Sequence, residues 1–158
     1  MDKSGIYLIR RMQHDELDMA FALIWEVFKQ FVASDYTDEG VNYFYKQFIT
    51  GQDFRDKFLD NRQAMYGSFD NDRLIGVLAI SKNNHISCLF VDGSYHRKGV
   101  ATKLLLKIAA ELKQQGGKKI KLNAAPYAIP FYHAIGFTDI GAESIYQGIR
   151  YTPMELQL

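Results

Sequence analysis

The stretch from His85 to Asn123 constrains this chain most. HISCLFV, rich in β-branched and aromatic residues, reads as a strand at His85–Val91, apolar enough to be central in a sheet. After the short loop DGSYHRK, Gly99 opens VATKLLLKIAAEL, whose apolar residues recur at helical spacing as far as Leu112. Gly116-Gly117 is a C-terminal stop, and Lys119–Asn123 is a second strand. Strand, helix and strand joined in this way make a parallel, right-handed crossover. Its turn aims a helix N-terminus at whatever lies beyond the end of the first strand.

The remaining elements arrange themselves around that crossover. Ile6–Met12 is β-rich, and Asp15 to Phe31 carries a helical stripe of Leu17, Ala20, Phe21, Ile24, Val27, Phe28 and Phe31. Ser34 to Thr37 breaks the helix. Thr37 or Asp38 then caps a second one with Val41, Phe44, Tyr45 and Phe48 on its buried stripe, and Asp53–Leu59 is a short third. Ala64–Phe69, the turn Asp70-Asn71-Asp72 and Leu74–Ile80 read as a hairpin. Ile129–Ile135 is a short helix closed by Gly136, followed by strands at Phe137–Ala142 and Ile149–Leu156. The fold class is therefore α+β, with a mixed, mostly antiparallel central sheet flanked by helices and one parallel strand–helix–strand crossover. With 158 residues and no linker, repeat or low-complexity tract, residues 1–158 form a single domain.

Composition removes several classes of function. A net charge of +1 argues against a nucleic acid or an anionic membrane as partner. The lysines at 113, 118, 119 and 121 read as a solvated surface. Cys88 is the single cysteine, so no internal disulfide and no Cys-based zinc cluster is expected, and no spaced ligand set suggests any metal. Apolar neighbours on its strand make Cys88 a buried structural thiol rather than a nucleophile. The start of the chain lacks an apolar signal core and no run is long enough to span a bilayer, so a cytoplasmic location is expected.

The turn before the long helix has the chemistry of an anion site. The first N–H groups of a helix lack intrahelical partners, and the helix dipole adds partial positive charge. A pyrophosphate suits such a place. Gly99 permits close backbone approach, Ala101 keeps the wall low, Thr102 offers a hydroxyl, and His96, Arg97 and Lys98 add donors and charge. A lone glycine could equally serve only the turn. Two phosphate motifs are excluded by spacing. Val100-Ala101, not Lys-Ser/Thr, follows Gly99, and a dinucleotide turn needs three spaced glycines where only Gly93 and Gly99 stand.

His96-Arg97-Lys98-Gly99-Val100-Ala101 resembles the Arg/Gln-x-x-Gly-x-Gly/Ala acyl-CoA signature of the GNAT N-acetyltransferase superfamily, with His96 where Arg or Gln is usual. The resemblance continues through Leu89-Phe90-Val91, Asn123, Phe131-Tyr132 and Ile135-Gly136-Phe137, and the element order agrees. It implies an acetyl-CoA-dependent N-acetyltransferase acting by direct attack of a primary amine in a ternary complex. It also implies splayed strands at His85–Val91 and Lys119–Asn123, with the pantetheine arm in the gap. The backbone N–H groups from Arg97 through Val100 and Ala101 to Thr102 would then hold the pyrophosphate. Leu89 and Val91 would pair with the arm, and an N–H near Leu89 or Phe90 would steady the oxyanion. Asn123 would hydrogen-bond the arm, and Tyr132 would be the general acid for the leaving thiolate.

A phenol with a pKa of about 10 matches a thiol of about 8.5 in that role. Read without the resemblance, Tyr132 is a core aromatic, and Tyr127 is a nearby rival for the same role. No general base is evident. Glu26, Asp35 and Glu143 are candidates more easily read as solvated carboxylates, and His14, His85 and His133 read as structural or solvent-facing. The aromatic region from Trp25 to Phe48, with Asp35, Asp38 and Glu39, would form the acceptor wall and suit a cationic amine. The implied partners are a small-molecule or peptide amine acceptor and a homodimer. A non-catalytic acyl-CoA-binding sensor is the alternative reading.

Overall fold

A computed structural model describes residues 7–158. Strand β1 (Leu8–Arg11) begins within the expected Ile6–Met12, of which Ile6 lies outside the described residues. A 3-10 turn at His14–Glu16 leads into α1 (Leu17–Phe31). Glu16 ties these pieces together: its carboxylate accepts from both Arg10 guanidinium nitrogens at 2.8 and 2.7 Å and from the Gln13 N–H at 2.8 Å.

Thr37 caps α2 (Asp38–Phe44), its Oγ1 accepting from the Gly40 N–H at 3.1 Å. The helix then widens into a π-helical turn at Tyr45–Ile49. That turn rotates Tyr45 off the buried stripe expected from the sequence. Tyr45 is 39% exposed and packs on Trp25 with ring centroids 4.8 Å apart, while Phe44 stays buried. Helix α3 (Gln52–Leu59) and the hairpin β2 (Gln63–Asp70) and β3 (Arg73–Ser81) follow.

The crossover comprises β4 (His85–Val91), α4 (Val100–Gln114) and β5 (Lys119–Ala124). α4 buries Val100, Leu104, Leu105, Ile108 and Ala109 along one stripe, and the Gly117 N–H closes its end on the Leu112 carbonyl at 2.8 Å. α5 (Ile129–Ile135) ends at Gly136 as expected.

The strand expected over residues 137–142 is cut to β6 (Thr138–Asp139), and β7 (Ser144–Tyr146) forms a separate hairpin with β8 (Ile149–Gln157). Pro153 explains the cut. Its carbonyl takes the Ile140 N–H at 2.9 Å, so its backbone faces β6, and proline has no N–H to extend the ladder on that side.

Among the described residues the sheet runs β1-β2-β3-β4-β5-β8-β6, with β7 on β8. The β4–β5 pair is parallel and the other pairs are antiparallel. Both faces are covered. Val77, Ala79 and Cys88 pack beneath α1–α3 with Phe21, Phe28 and Phe44. Leu78, Ile80 and Ile86 pack beneath α4 and α5 with Leu104, Leu105 and Ile108. Truncating Leu104 or Phe28, both fully buried, to alanine is expected to cost about 2–5 kcal/mol. No helix among the described residues is long and apolar enough to cross a membrane.

Candidate active site

The site begins where the sheet divides. β4 and β5 pair only at His85 with Lys121 and Ile86 with Leu122, and then part. A bulge sits at that point: Cys88 faces Ala79 and Ile86 faces Ile80, which leaves Ser87 as the extra residue. Bulges bend a strand and increase its twist, so β4 turns away from β5. The Ser87 hydroxyl donates to Gln63 Oε1 at 3.0 Å, and Gln63 is buried at the start of β2. The diverging strands open a cleft of about 660 Å³.

Backbone groups edge this cleft. The Asp92 N–H donates to the Ile75 carbonyl at 2.8 Å, so by alternation along the ladder Phe90 turns its backbone to β3. Leu89 and Val91 then face the cleft. The Val91 carbonyl is already occupied: His96 Nε2 lies 2.7 Å from it. Donation to that carbonyl places the proton on Nε2, and the ring rests 4.6 Å from that of Phe31. His96 thus clamps the loop to the strand end rather than presenting Nε2 to a ligand.

The turn between β4 and α4 is built firmly. Asp92 accepts the Ser94 N–H at 2.8 Å and the Arg73 guanidinium at 3.0 Å, and Tyr95 donates its hydroxyl to Asp70 at 2.6 Å. Arg97 and Gly99 are left-handed, with φ of 63° and 78°. The first backbone bond of the helix runs from the Lys103 N–H to the Gly99 carbonyl at 3.0 Å. The N–H groups of Arg97 through Thr102 consequently donate to no group among the described residues. Left-handed residues at a helix N-terminus form a concavity of donors suited to anions. A Cβ added at Gly99 would meet nothing within 4 Å, so open space lies before the turn. A diphosphate fits this cradle by charge, donor number and room. Arg97, Val100, Ala101 and Thr102 line the cleft, whereas Lys98 lies outside the lining, its ammonium 5.2 Å from the Tyr95 ring.

Asn123 and Tyr132 stand on the opposite wall. Tyr132 is buried between Phe131 and Phe137, each ring centroid 5.3 Å away. Its hydroxyl makes no hydrogen bond among the described residues. Because no sealed side-chain oxygen or nitrogen lacks a partner, that hydroxyl must reach the open cleft. Burial first, and Cys88 second, raise its pKa well above that of an ordinary phenol. Tyr132 is a protonated donor at any working pH. Burial likewise pushes the Cys88 thiol up to about 12, as expected for a structural cysteine. Tyr127 also lines the cleft, half-exposed and 5.6 Å from the Phe31 ring.

The base candidates do not converge here. Glu26 pairs with Lys29 at 3.0 Å, Glu143 pairs with Arg150 at 3.0 Å, and neither lines the cleft. Asp35 stays outside the lining, as do Asp38 and Glu39. His133 is tied to Asp139 at 2.7 Å, and burial with the Lys121 charge lowers the pKa of His85. The wall facing β4 is instead aromatic, made of Phe28, Phe31, Tyr36 and Phe44. In the sequence, helical spacing explained all but Tyr36 as core. Only the packing of α1 against the splayed strands shows which of them reach the cleft.

A splayed parallel pair, a free-donor turn before a long helix and a tyrosine in the gap define an α+β protein with an anion-binding cleft, the arrangement implied by the GNAT resemblance. The family model for the acetyltransferase (GNAT) domain matches residues 32–158. The chain belongs to the GNAT acetyltransferase family and is an acyltransferase enzyme. The fold is similar to that of a GCN5-related N-acetyltransferase from Rhodopseudomonas palustris, with a TM-score of 0.81, 16% identity and 96% of each chain covered. It is similar also to the PaiA N-acetyltransferase from Thermoplasma acidophilum in complex with coenzyme A. There the TM-score is 0.78 at 18% identity, over 96% of this chain and 99% of that one. A third similar structure is the ribosomal-protein-S18-alanine N-acetyltransferase from Escherichia coli, with a TM-score of 0.65, 16% identity and coverage of 96% and 93%.

Proposed function

We propose that this enzyme transfers an acetyl group from acetyl-CoA to a primary amine by direct attack within a ternary complex. The observation that carries this reading is the row of unpartnered N–H groups from Arg97 to Thr102, placed at the mouth of the β4–β5 gap.

These donors, with the Arg97 side chain, would hold the pyrophosphate of the donor substrate. The Leu89 backbone and the Val91 N–H would pair with its pantetheine arm like an added strand, and Asn123 would hydrogen-bond the arm from β5. Of the two N–H groups expected for the thioester carbonyl, that of Leu89 would polarise it, because the Phe90 backbone is turned to β3. The amine nitrogen bonds to the carbonyl carbon, the carbon–sulfur bond breaks, and the nitrogen loses one proton as the sulfur gains one. Tyr132 serves the sulfur. Its elevated pKa makes it a hydrogen-bond donor to the developing thiolate more than a source of a fully transferred proton.

The test is thiol release from acetyl-CoA across an amine panel, with the acetylated product identified by mass spectrometry. Tyr132→Phe should lower kcat about 100-fold while leaving acetyl-CoA affinity within about twofold. Tight acetyl-CoA binding without transfer to any amine would instead establish the non-catalytic sensor.

A further inference from the structure

The acceptor end of the cleft is defined by what its wall carries. Phe28, Phe31, Val32, Tyr36, Phe44 and Phe90 line it, with Phe44 edge-on to Phe90 at 6.2 Å. Phe28 and Phe44 lie parallel with centroids 3.9 Å apart, so each occupies one face of the other, and Tyr36 leans on Phe28 at 5.4 Å. Stacked in this way, they do not form an open cage for a cation. Among the described lining residues, Arg97 is the one permanently charged side chain, and no carboxylate is present. Asp35, outside the lining, acts on the Tyr36 phenol through its charge, and burial is the larger cause of that phenol's rise to about 12.

An alkyl ammonium entering here would lose water with no anion to receive it, and no base stands ready to deprotonate it. At pH 7 less than about 0.1% of a lysine-like amine is neutral. An aryl amine escapes both difficulties. Its lone pair is shared with the ring, so it is neutral at pH 7, and its flat apolar body matches the wall. We infer that the acceptor is a weakly basic amine carried on an aromatic ring, seated against the partly exposed Phe31, Tyr36 and Phe90, with Phe28 and Phe44 packed behind them. This inference rests on the acetyl-transfer reading. The Tyr36 hydroxyl, which has no hydrogen-bond partner among the described residues, is the polar handle that positions the amine or a ring substituent.

The test compares 4-methylaniline with cyclohexylamine, similar in size but cationic, and with 1,4-diaminobutane at pH 7.5, each as thiol release above the enzyme-free rate. Acetyl-CoA binding is measured first by calorimetry, and thiol release across the amine panel second, so failure of the transfer reading is seen separately. With acetyl-CoA bound, kcat/KM for 4-methylaniline should exceed that for either alkyl amine at least about tenfold, taking one lost charge–solvent balance as the difference. Tyr36→Phe should raise its KM about two- to tenfold with little change in kcat, the loss of one hydrogen bond. Equal or better turnover of the alkyl amines, or turnover of none of the three, overturns the inference.

Discussion

Replacing Gly99 by glutamate separates stability from function, provided Gly116→Glu is measured beside it. Both glycines are left-handed, with φ of 78° and 88°, and a Cβ at either meets nothing within 4 Å. Each substitution therefore carries the same left-handed strain, about 1–2 kcal/mol, without a clash. The charge acts with opposite sign. Gly99 precedes the N-terminus of α4, where a carboxylate gains about 0.3–1 kcal/mol, and Gly116 follows the C-terminus, where it loses a similar amount. Gly99→Glu should thus be the milder lesion, with Tm lowered by about 0–7 °C against about 3–12 °C for Gly116→Glu, at about 2–4 °C per kcal/mol. Ligand response should run the other way. At 100 times Kd, acetyl-CoA adds about 2.7 kcal/mol to the stability of a protein that binds it. Wild type and Gly116→Glu should each gain about 5–10 °C in a thermal denaturation assay. Gly99→Glu should gain nothing, because its carboxylate would stand where the diphosphate belongs. A full ligand-induced shift in Gly99→Glu would refute the placement of the pyrophosphate.

Three further outcomes follow from particular contacts. His96→Ala removes the clamp on the Val91 carbonyl and should weaken acetyl-CoA affinity roughly fivefold, the equivalent of about one hydrogen bond, as read by calorimetry. Ser87→Ala leaves the buried Gln63 oxygen without its donor and should cost about 1–2 kcal/mol in denaturant unfolding, with a raised KM for acetyl-CoA as the bulge relaxes. Glu16 is held down to about 2, first by its hydrogen bonds from Arg10 and then by that from the Gln13 N–H. A carboxylate with a depressed folded pKa stabilises above its unfolded value of 4.5, and that contribution is lost as pH falls toward 2. Glu16→Gln should flatten the stability-against-pH curve in that window and lower stability at pH 7, where the contribution of the Glu16 carboxylate is fully present.

What the chain discloses in its residues is mostly local. The α4 stripe, the apolar β4 run and the Gly99 and Gly116 punctuation read directly from residue order, so the crossover and its anion turn were legible. The splay was expected from family resemblance, but its cause was not visible. Ser87 sits in HISCLFV like any strand residue, and only its register against Ala79 and Ile80 identifies it as a bulge. Pro153 reads as a strand residue until its carbonyl is found facing β6. The π-helical turn that exposes Tyr45 follows from packing against α1, not from local propensity. His96 was expected to offer a donor to the ligand; its closeness to the Val91 carbonyl is a five-residue loop closure that spacing alone does not dictate. The acceptor wall was legible as the aromatic region from Trp25 to Phe48, but not which of its members reach the cleft. Carboxylates near the aromatics in sequence suggested a cationic amine, and the fold leaves Asp35, Asp38 and Glu39 outside the cleft.

Amide-resolved NMR of nitrogen-15-labelled protein titrated with acetyl-CoA tests the central claim most directly. The account predicts saturable shifts concentrated at the N–H groups of Arg97 through Thr102 and at Leu89 and Val91, with the lysine-bearing surface at Lys118–Lys121 unmoved. Saturable binding that leaves those amides in place, or shifts confined to the lysine surface, would contradict it.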